Sequence, residues 1–364
     1  MLGARGGRRA SRPDRPIIWA IALAALAAGI GYQEHDGKEY HGSVGTQAGQ
    51  QTGKGRQASF PSEIPAAGWK DILRRVYQRL SRDRILTIAA GVTFYILLAI
   101  FPAIAALVSI FGLFADPATV GNQIGNLSGV LPGGAIDVIT AQANRVASQS
   151  SGTLGWAFVI SLVISIWSAN AGVKGMFDAL NVAYREEEKR GFIELTAISL
   201  LFTVSLIIFA ILAIAVVVVL PNLLGALGLS SVTQQVIRYG KWVFLLLALV
   251  FLISFFYRFG PSRDRPRWRW LSWGSAFAAI GWLGVSILFA WYVSNFGSYN
   301  KTYGSLGAVI GFMTWVWLSI IVVLIGAVLD AEMEHQTIRD TTTGRPEPLG
   351  KRGAVVADTV GESK

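Results

Sequence analysis

Cysteine is absent from the 364 residues, so the chain has no disulfide, no thiolate metal site and no cysteine nucleophile. Histidine is nearly absent. His35, His41 and His335 lie too far apart for an HExxH motif or a histidine-rich metal cluster. No GxSxG elbow and no GxxxxGK[ST] loop occurs, which removes those hydrolase and ATP-using routes. Charge is scarce too: 15% of residues carry it, against about 25% in soluble domains. The scarcity is concentrated. Residues 85–115, 146–173, 195–237, 270–300 and 302–329 contain no Asp, Glu, Lys or Arg. Apolar runs of roughly 18 or more are transmembrane candidates, and backbone facing lipid must be helical. The composition therefore excludes a soluble protein and predicts an all-α integral membrane protein.

Six core spans are expected at 87–114, 154–174, 195–220, 238–258, 271–292 and 303–329, with Pro221, Asn222, Gly225 and Gly228 dividing the third from the fourth. Residues 69–84, 174–194, 258–269 and 330–364 together hold 20 Lys and Arg, and the alternate segments 116–152, 221–241 and 293–302 hold 4. Positive charge favours the inside, so both ends of the six-helix core face the cytoplasm. Ahead of the core, an arginine-rich start leads into Ile17–Tyr32, an apolar run of some 16 residues. At about 1.5 Å per residue it is short of a hydrocarbon core of about 30 Å. It resembles a signal peptide or signal-anchor, and spanning, interfacial, cleaved and mis-started readings stay open. The domains expected are 1–66, a basic region with segment 17–32 and a disordered linker; 67–334, the membrane domain; and 335–364, a disordered cytoplasmic tail.

In 68–84, Trp69, Ile72, Leu73, Val76 and Leu80 share one face, with Arg74, Arg75, Arg79 and Arg82 off that stripe. This predicts an interfacial amphipathic helix. Pro102 predicts a kink in the first core span. Thr93, Tyr95 and Pro102, with Ser168 and Asn170 of the second span, are the candidate lining of a pathway; packing alone is the competing reading. Gly307 and Gly311 form a GxxxG pair, read as packing. Glu186–Glu188 sit among Arg185, Lys189 and Arg190 as a solvated charge run.

The segment YRFGPSRDRPRWRWLSWG (257–274) interleaves Arg258, Arg263, Arg265, Arg267 and Arg269 with Trp268, Trp270 and Trp273. Between two apolar spans it reads as an orientation signal with an aromatic belt and as a site for anionic headgroups, not as a nucleic-acid strip. Asp330 and Glu332, with Glu334, close the last span against its helix dipole, and a cationic partner is expected, the arginine loop being the candidate. No cofactor and no metal site is predicted. The expected partners are membrane lipids, with envelope proteins or a second copy as alternatives, and no nucleic acid.

Three stretches in order, AAGVTFYILLAIFPAIAALVS (89–109), SIWSANAGVKGMFDALNVAY (165–184) and SYNKTYGSLGAVIGFMTWVWLSIIVVLIGA (298–327), resemble the YihY/virulence factor BrkB family, once labelled ribonuclease BN. The resemblance covers about 69–340. It implies an inner-membrane bundle of six helices in the bacterial envelope. No catalytic residue carries over, and the chain is not expected to be an enzyme. A transporter or flippase-like protein for a lipid or amphiphile is the leading expectation. A non-transporting scaffold of envelope machinery is the alternative, and a membrane-bound ribonuclease comes last. One departure stands out: many relatives read Gly-Ala-Glu-Leu-Asn where this chain has Gly326-Ala327-Val328-Leu329-Asp330. The acid thus moves two residues on, about 200° around the helix.

Overall fold

The computed structural model describes residues 52–112, 156–219, 231–296 and 305–362. Segment 17–32 and the outer loop 116–152 lie outside these. Seven long helices follow one another: α1 (Ala66–Arg82), α2 (Ile85–Gly112), α3 (Trp156–Tyr184), α4 (Phe192–Ile214), α5 (Ser231–Phe259), α6 (Trp268–Phe296) and α7 (Ser305–Glu334). A single π-type turn, Ala215–Val219, continues α4, and a four-residue helix, α8 (Val355–Asp358), lies near the end. Among the described residues there is no strand, only one isolated bridge, Pro266 with Thr342.

Among the described residues, four helices are long and apolar enough to cross a membrane, at Phe192–Val217, Tyr239–Phe259, Trp268–Tyr292 and Val309–Glu334. A fifth is added if α1 and the start of α2, bent by 62° at their junction, count as one. Arg84 makes that bend with a positive φ of 50°. The outward surface is apolar: Val159, Val163 and Trp167 on α3, Leu201, Ile208 and Leu212 on α4, Trp242, Leu247 and Phe251 on α5 and Ile280, Ile287 and Trp291 on α6 are all exposed. Their spacing of four, five or seven residues marks one face per helix, as lipid requires. Half of the α7 span is buried, against 17–22% for α4, α5 and α6, which makes α7 the hub. It packs on α6, α2, α1 and α3, and α2 packs closely on α3.

The hub contact with α6 is made by glycine. A Cβ built on Gly274 would overlap the Gly326 carbonyl oxygen and the Asp330 carboxyl carbon; one on Gly326 would stand 2.6 Å from the Tyr257 hydroxyl and 2.9 Å from Ala278 Cβ. Small residues permit such an approach in membranes. The close pair is Gly274–Gly326, which the GxxxG spacing of Gly307 and Gly311 did not point to.

Two regions expected to be disordered are packed where they are described. Residues 335–362 run across the end of the bundle. Arg352 gathers the tail by donating to the carbonyls of Ile338, Arg339, Glu347 and Ala357. The Ile338 N–H donates to the Arg56 carbonyl at 2.9 Å, and the Thr337 hydroxyl to that of Ala58 at 2.8 Å. Residues 52–65 are thereby held as well, with Ala58 and Ile64 buried. Composition misleads here because backbone carbonyls, satisfied by buried Arg56 and Arg352, supply the order that few apolar side chains could.

Candidate functional site

The last turn of α7 carries three acids, Asp330, Glu332 and Glu334, each with no exposed surface. At about 100° per residue, Asp330 and Glu334 fall on one side of the helix and Glu332 on the other. The two sides meet different partners.

On one side, Glu332 accepts from Arg75 Nε at 2.6 Å, Arg185 Nη2 at 3.1 Å and Arg79 Nη1 at 3.4 Å. His335 Nδ1 lies 3.5 Å away. Burial pushes this imidazole below its ordinary value, and Glu332 only partly opposes that. Arg79 also donates to the Val182 and Ala183 carbonyls and to Asp83, satisfying the end of α3. Arg185 reaches the cluster from the left-handed residue ending α3, with φ 58°, where Glu186 N–H donates back to the Asn181 carbonyl at 2.8 Å in a Schellman-type closure. Helices α1, α3 and α7 are thus tied at one carboxylate.

On the other side, Glu334 accepts from Arg263 at 2.7 Å and from the Thr341 hydroxyl at 2.9 Å. The Arg263 side chain is wholly buried and lies over the Tyr184 ring at 5.0 Å. Burial alone would depress its guanidinium; Glu334 outweighs that and raises it above its ordinary value. Asp330 accepts the Gly274 N–H at 2.7 Å, and Tyr257, packed edge-on to Tyr184, donates to the Val323 carbonyl. Four buried atoms here have no hydrogen-bond partner among the described residues: Asp330 Oδ2, Glu334 Oε1, Tyr184 OH and Arg263 Nη1.

The arginine loop does meet the rim acids, but through Arg263 and Glu334 and not through Asp330 or Glu332. Arg263 is therefore spent on a buried ion pair, not on headgroups. The other four lie nearer the surface. Arg258 stacks on Trp268 at 4.7 Å, Arg265 on Phe259 at 5.0 Å and Arg269 on Phe60 at 4.3 Å. Arg267 donates to the Thr342 carbonyl at 2.9 Å, beside the Pro266–Thr342 bridge. Trp268 and Trp273 are 44% and 50% exposed, as a belt requires, whereas Trp270 is 1% exposed and belongs to the core. On α1, Arg75 and Arg79 turn inward. Asp71, Arg75, Arg79 and Asp83 recur every four residues, a polar stripe that a helix lying free on headgroups has no need of.

The pathway candidates separate. Thr93 is buried with its hydroxyl donating to the Ala89 carbonyl at 2.7 Å on its own helix. Asn170 is buried against Thr203 of α4 at 3.0 Å. Ser168 and Pro102 are half-buried, and Tyr95 is exposed with its ring against Gly175. Among the described residues no hydrogen bond links these side chains to one another, and the convergent polar groups are at the end of α7.

The Glu186–Glu188 run is not merely solvated. Glu186 is buried and accepts the Val355 N–H at 2.7 Å. Glu188 accepts from the Arg190 side chain and backbone and from Asn181. Burial would raise this carboxyl, but those bonds overcome it and hold it at about 2, from an ordinary value of 4.5. A depressed carboxylate stabilises above its unfolded value and stops doing so as pH falls through its folded one. Wild type should therefore exceed Glu188→Gln in melting temperature at pH 7, by a margin undiminished at pH 5 that closes between about pH 4.5 and 2. A margin that persisted at pH 2 would disprove the linkage.

The chain is 27% identical over 264 residues to YfkH of Bacillus subtilis, named only as ribonuclease-like, covering 71% of this chain and 94% of that one. It is 27% identical over 314 residues to a UPF0761 membrane protein of Alkalilimnicola ehrlichii, covering 80% and 66%. A UPF0761 membrane protein of Vibrio atlanticus is 27% identical over 281 residues, covering 74% and 85%. No solved structure matches. Residues 76–349, from the second half of α1 to the packed tail, match the family described as Virulence factor BrkB, and with its apolar helices the chain is a membrane protein belonging to that family.

Proposed function

We propose that this protein is a transporter or flippase-like protein for a lipid or another amphiphile, and not an enzyme. It would sit in the bacterial inner membrane as a six-helix bundle with both core ends in the cytoplasm. The observation that carries this reading is the buried charge cluster on the last turn of α7. Ionisable groups inside a membrane bundle are expensive and are kept where something must pass or switch. Glu332 joins α1, α3 and α7, so parting its arginines would open the cytoplasmic end of the bundle. Pro102 in α2 and the π-type turn after α4 provide places where helices can bend. Trp268 and Trp273 with Arg258, Arg265, Arg267 and Arg269 suit anionic headgroups at the same rim.

The test is lipid redistribution in reconstituted vesicles. Pro102→Ala combined with Asn170→Ala should abolish redistribution while leaving membrane insertion intact. Full activity in that double variant would count heavily against the bending pathway. A scaffold role is favoured by a different observation, the packed surface of residues 52–65, 260–267 and 335–362. Recovery of a stable envelope partner, with no lipid redistribution by the purified protein, would select it. Cleavage of tRNA precursors by contaminant-free protein would instead restore the ribonuclease reading.

A further inference from the structure

Asp330 and Glu334 present two carboxyls with no exposed surface to one equally buried guanidinium, Arg263. Were both acids ionised, the pocket would hold a net negative charge away from water, at several kcal/mol. The partners decide where neutralisation falls. Glu334 is engaged by Arg263 at 2.7 Å and by the Thr341 hydroxyl at 2.9 Å. Asp330 has one backbone N–H, that of Gly274, on Oδ1 and nothing on Oδ2. The Tyr184 hydroxyl and Arg263 Nη1, both buried and unpartnered, belong to the same pocket.

We propose that Asp330 and Glu334 form a binding site for one exchangeable proton, carried on Asp330 Oδ2. The step is simple: the carboxylate takes up H⁺ to become a neutral carboxylic acid, and releases it unchanged. The groups acting on it are Glu334 from α7 itself, Tyr257 from α5, Tyr184 from α3 and Arg263 from the loop; α6 contributes the Gly274 N–H. Glu186 also acts on Arg263, but its oxygens are taken by Val355 N–H and Lys189. Glu332 is held apart, on the opposite side of α7, by Arg75, Arg79 and Arg185. As the coupling ion for lipid movement, the proton rests on the transport reading; as a bound proton, it does not.

The experiment is infrared pH-difference spectroscopy of the full-length protein in phosphatidylglycerol-containing vesicles. One protonated-carboxyl band is expected at pH 7, lost in Asp330→Asn and shifted in Tyr184→Phe, which keeps the ring and its packing. If Asp330→Asn fails to fold, the Tyr184→Phe shift alone carries the assignment. The absence of any protonated carboxyl between about pH 5 and 9, with stabilisation by sodium over choline, would overturn the proposal in favour of a bound metal cation. Lipid redistribution driven by a pH gradient in wild type and lost in Asp330→Asn supports coupling; redistribution indifferent to the gradient overturns coupling. A band in a protein that moves no lipid supports the proton site and removes the transport reading.

Discussion

Glu332→Ala should be the most destabilising single substitution at the rim, by about 3–5 kcal/mol, the usual cost of removing one partner from a buried ion pair. Three guanidiniums converge on this carboxylate, and the side chains of Arg75 and Arg79 are only 11% and 3% exposed. Without it they repel one another where water cannot screen them. Arg75 would keep Gln336 and Arg79 would keep Asp83, so the helices stay inserted while their junction loosens. The measurement is thermal unfolding in detergent beside protease access to the α1–α2 junction. Glu332→Gln should recover part of the loss, because an amide oxygen still accepts from one arginine. A Glu332→Ala protein as stable and as protected as wild type would mean that the cluster does not hold the rim.

Gly274→Ala is the second large effect. A methyl group there overlaps the Gly326 carbonyl and the Asp330 carboxyl. Both are fixed, one as helix backbone and the other by the Gly274 N–H, so neither can give way cheaply. α6 and α7 must separate, which costs about 1–3 kcal/mol for overpacking and more where a hydrogen bond also fails. Gly284→Ala, on the same helix with nothing within 4 Å of the added carbon, is the control. It should be neutral or stabilising by up to about 1 kcal/mol, since alanine is the better helix former. Pulsed electron spin distances between labels on α6 and α7 should lengthen in Gly274→Ala and not in Gly284→Ala. Equal distances would place the close contact elsewhere.

The two substitutions mark where sequence reasoning succeeds and where it stops. Charge-free runs located the helices to within a few residues at most described ends, because lipid leaves the backbone one solution. Asp330 and Glu332 were legible as acids awaiting a cation, since they oppose the dipole of their helix. Their partners were not legible. Arg75 is separated from Glu332 by 257 residues and Arg185 by 147, and no periodicity carries information across such gaps. The loop arginines look equivalent in sequence, yet Arg263 alone meets Glu334. Periodicity did record one clue, the four-residue recurrence of Asp71, Arg75, Arg79 and Asp83, which the stronger apolar stripe of Trp69, Ile72 and Val76 overshadowed. Thr93 and Asn170 look available for a pathway because hydroxyls and amides are rare in such spans; Thr93 instead bonds the carbonyl one turn back on its own helix, and Asn170 accepts from Thr203 of α4, a neighbour that the sequence does not place.

The distance along the chain between Arg75 and Glu332 also sets a timetable. At roughly 5–20 residues per second, synthesis of the 257 intervening residues takes about 13–51 s. Through that interval Arg75 and Arg79, and Arg185 once it too has been made, exist without the carboxylate that will bury them. On the orientation proposed above they spend it in water at the cytoplasmic face, where unpaired positive charge is what keeps a segment from being carried across. The same guanidiniums therefore serve twice, first as a brake on translocation while the helices enter, then as the fastening that α7 closes when it arrives last.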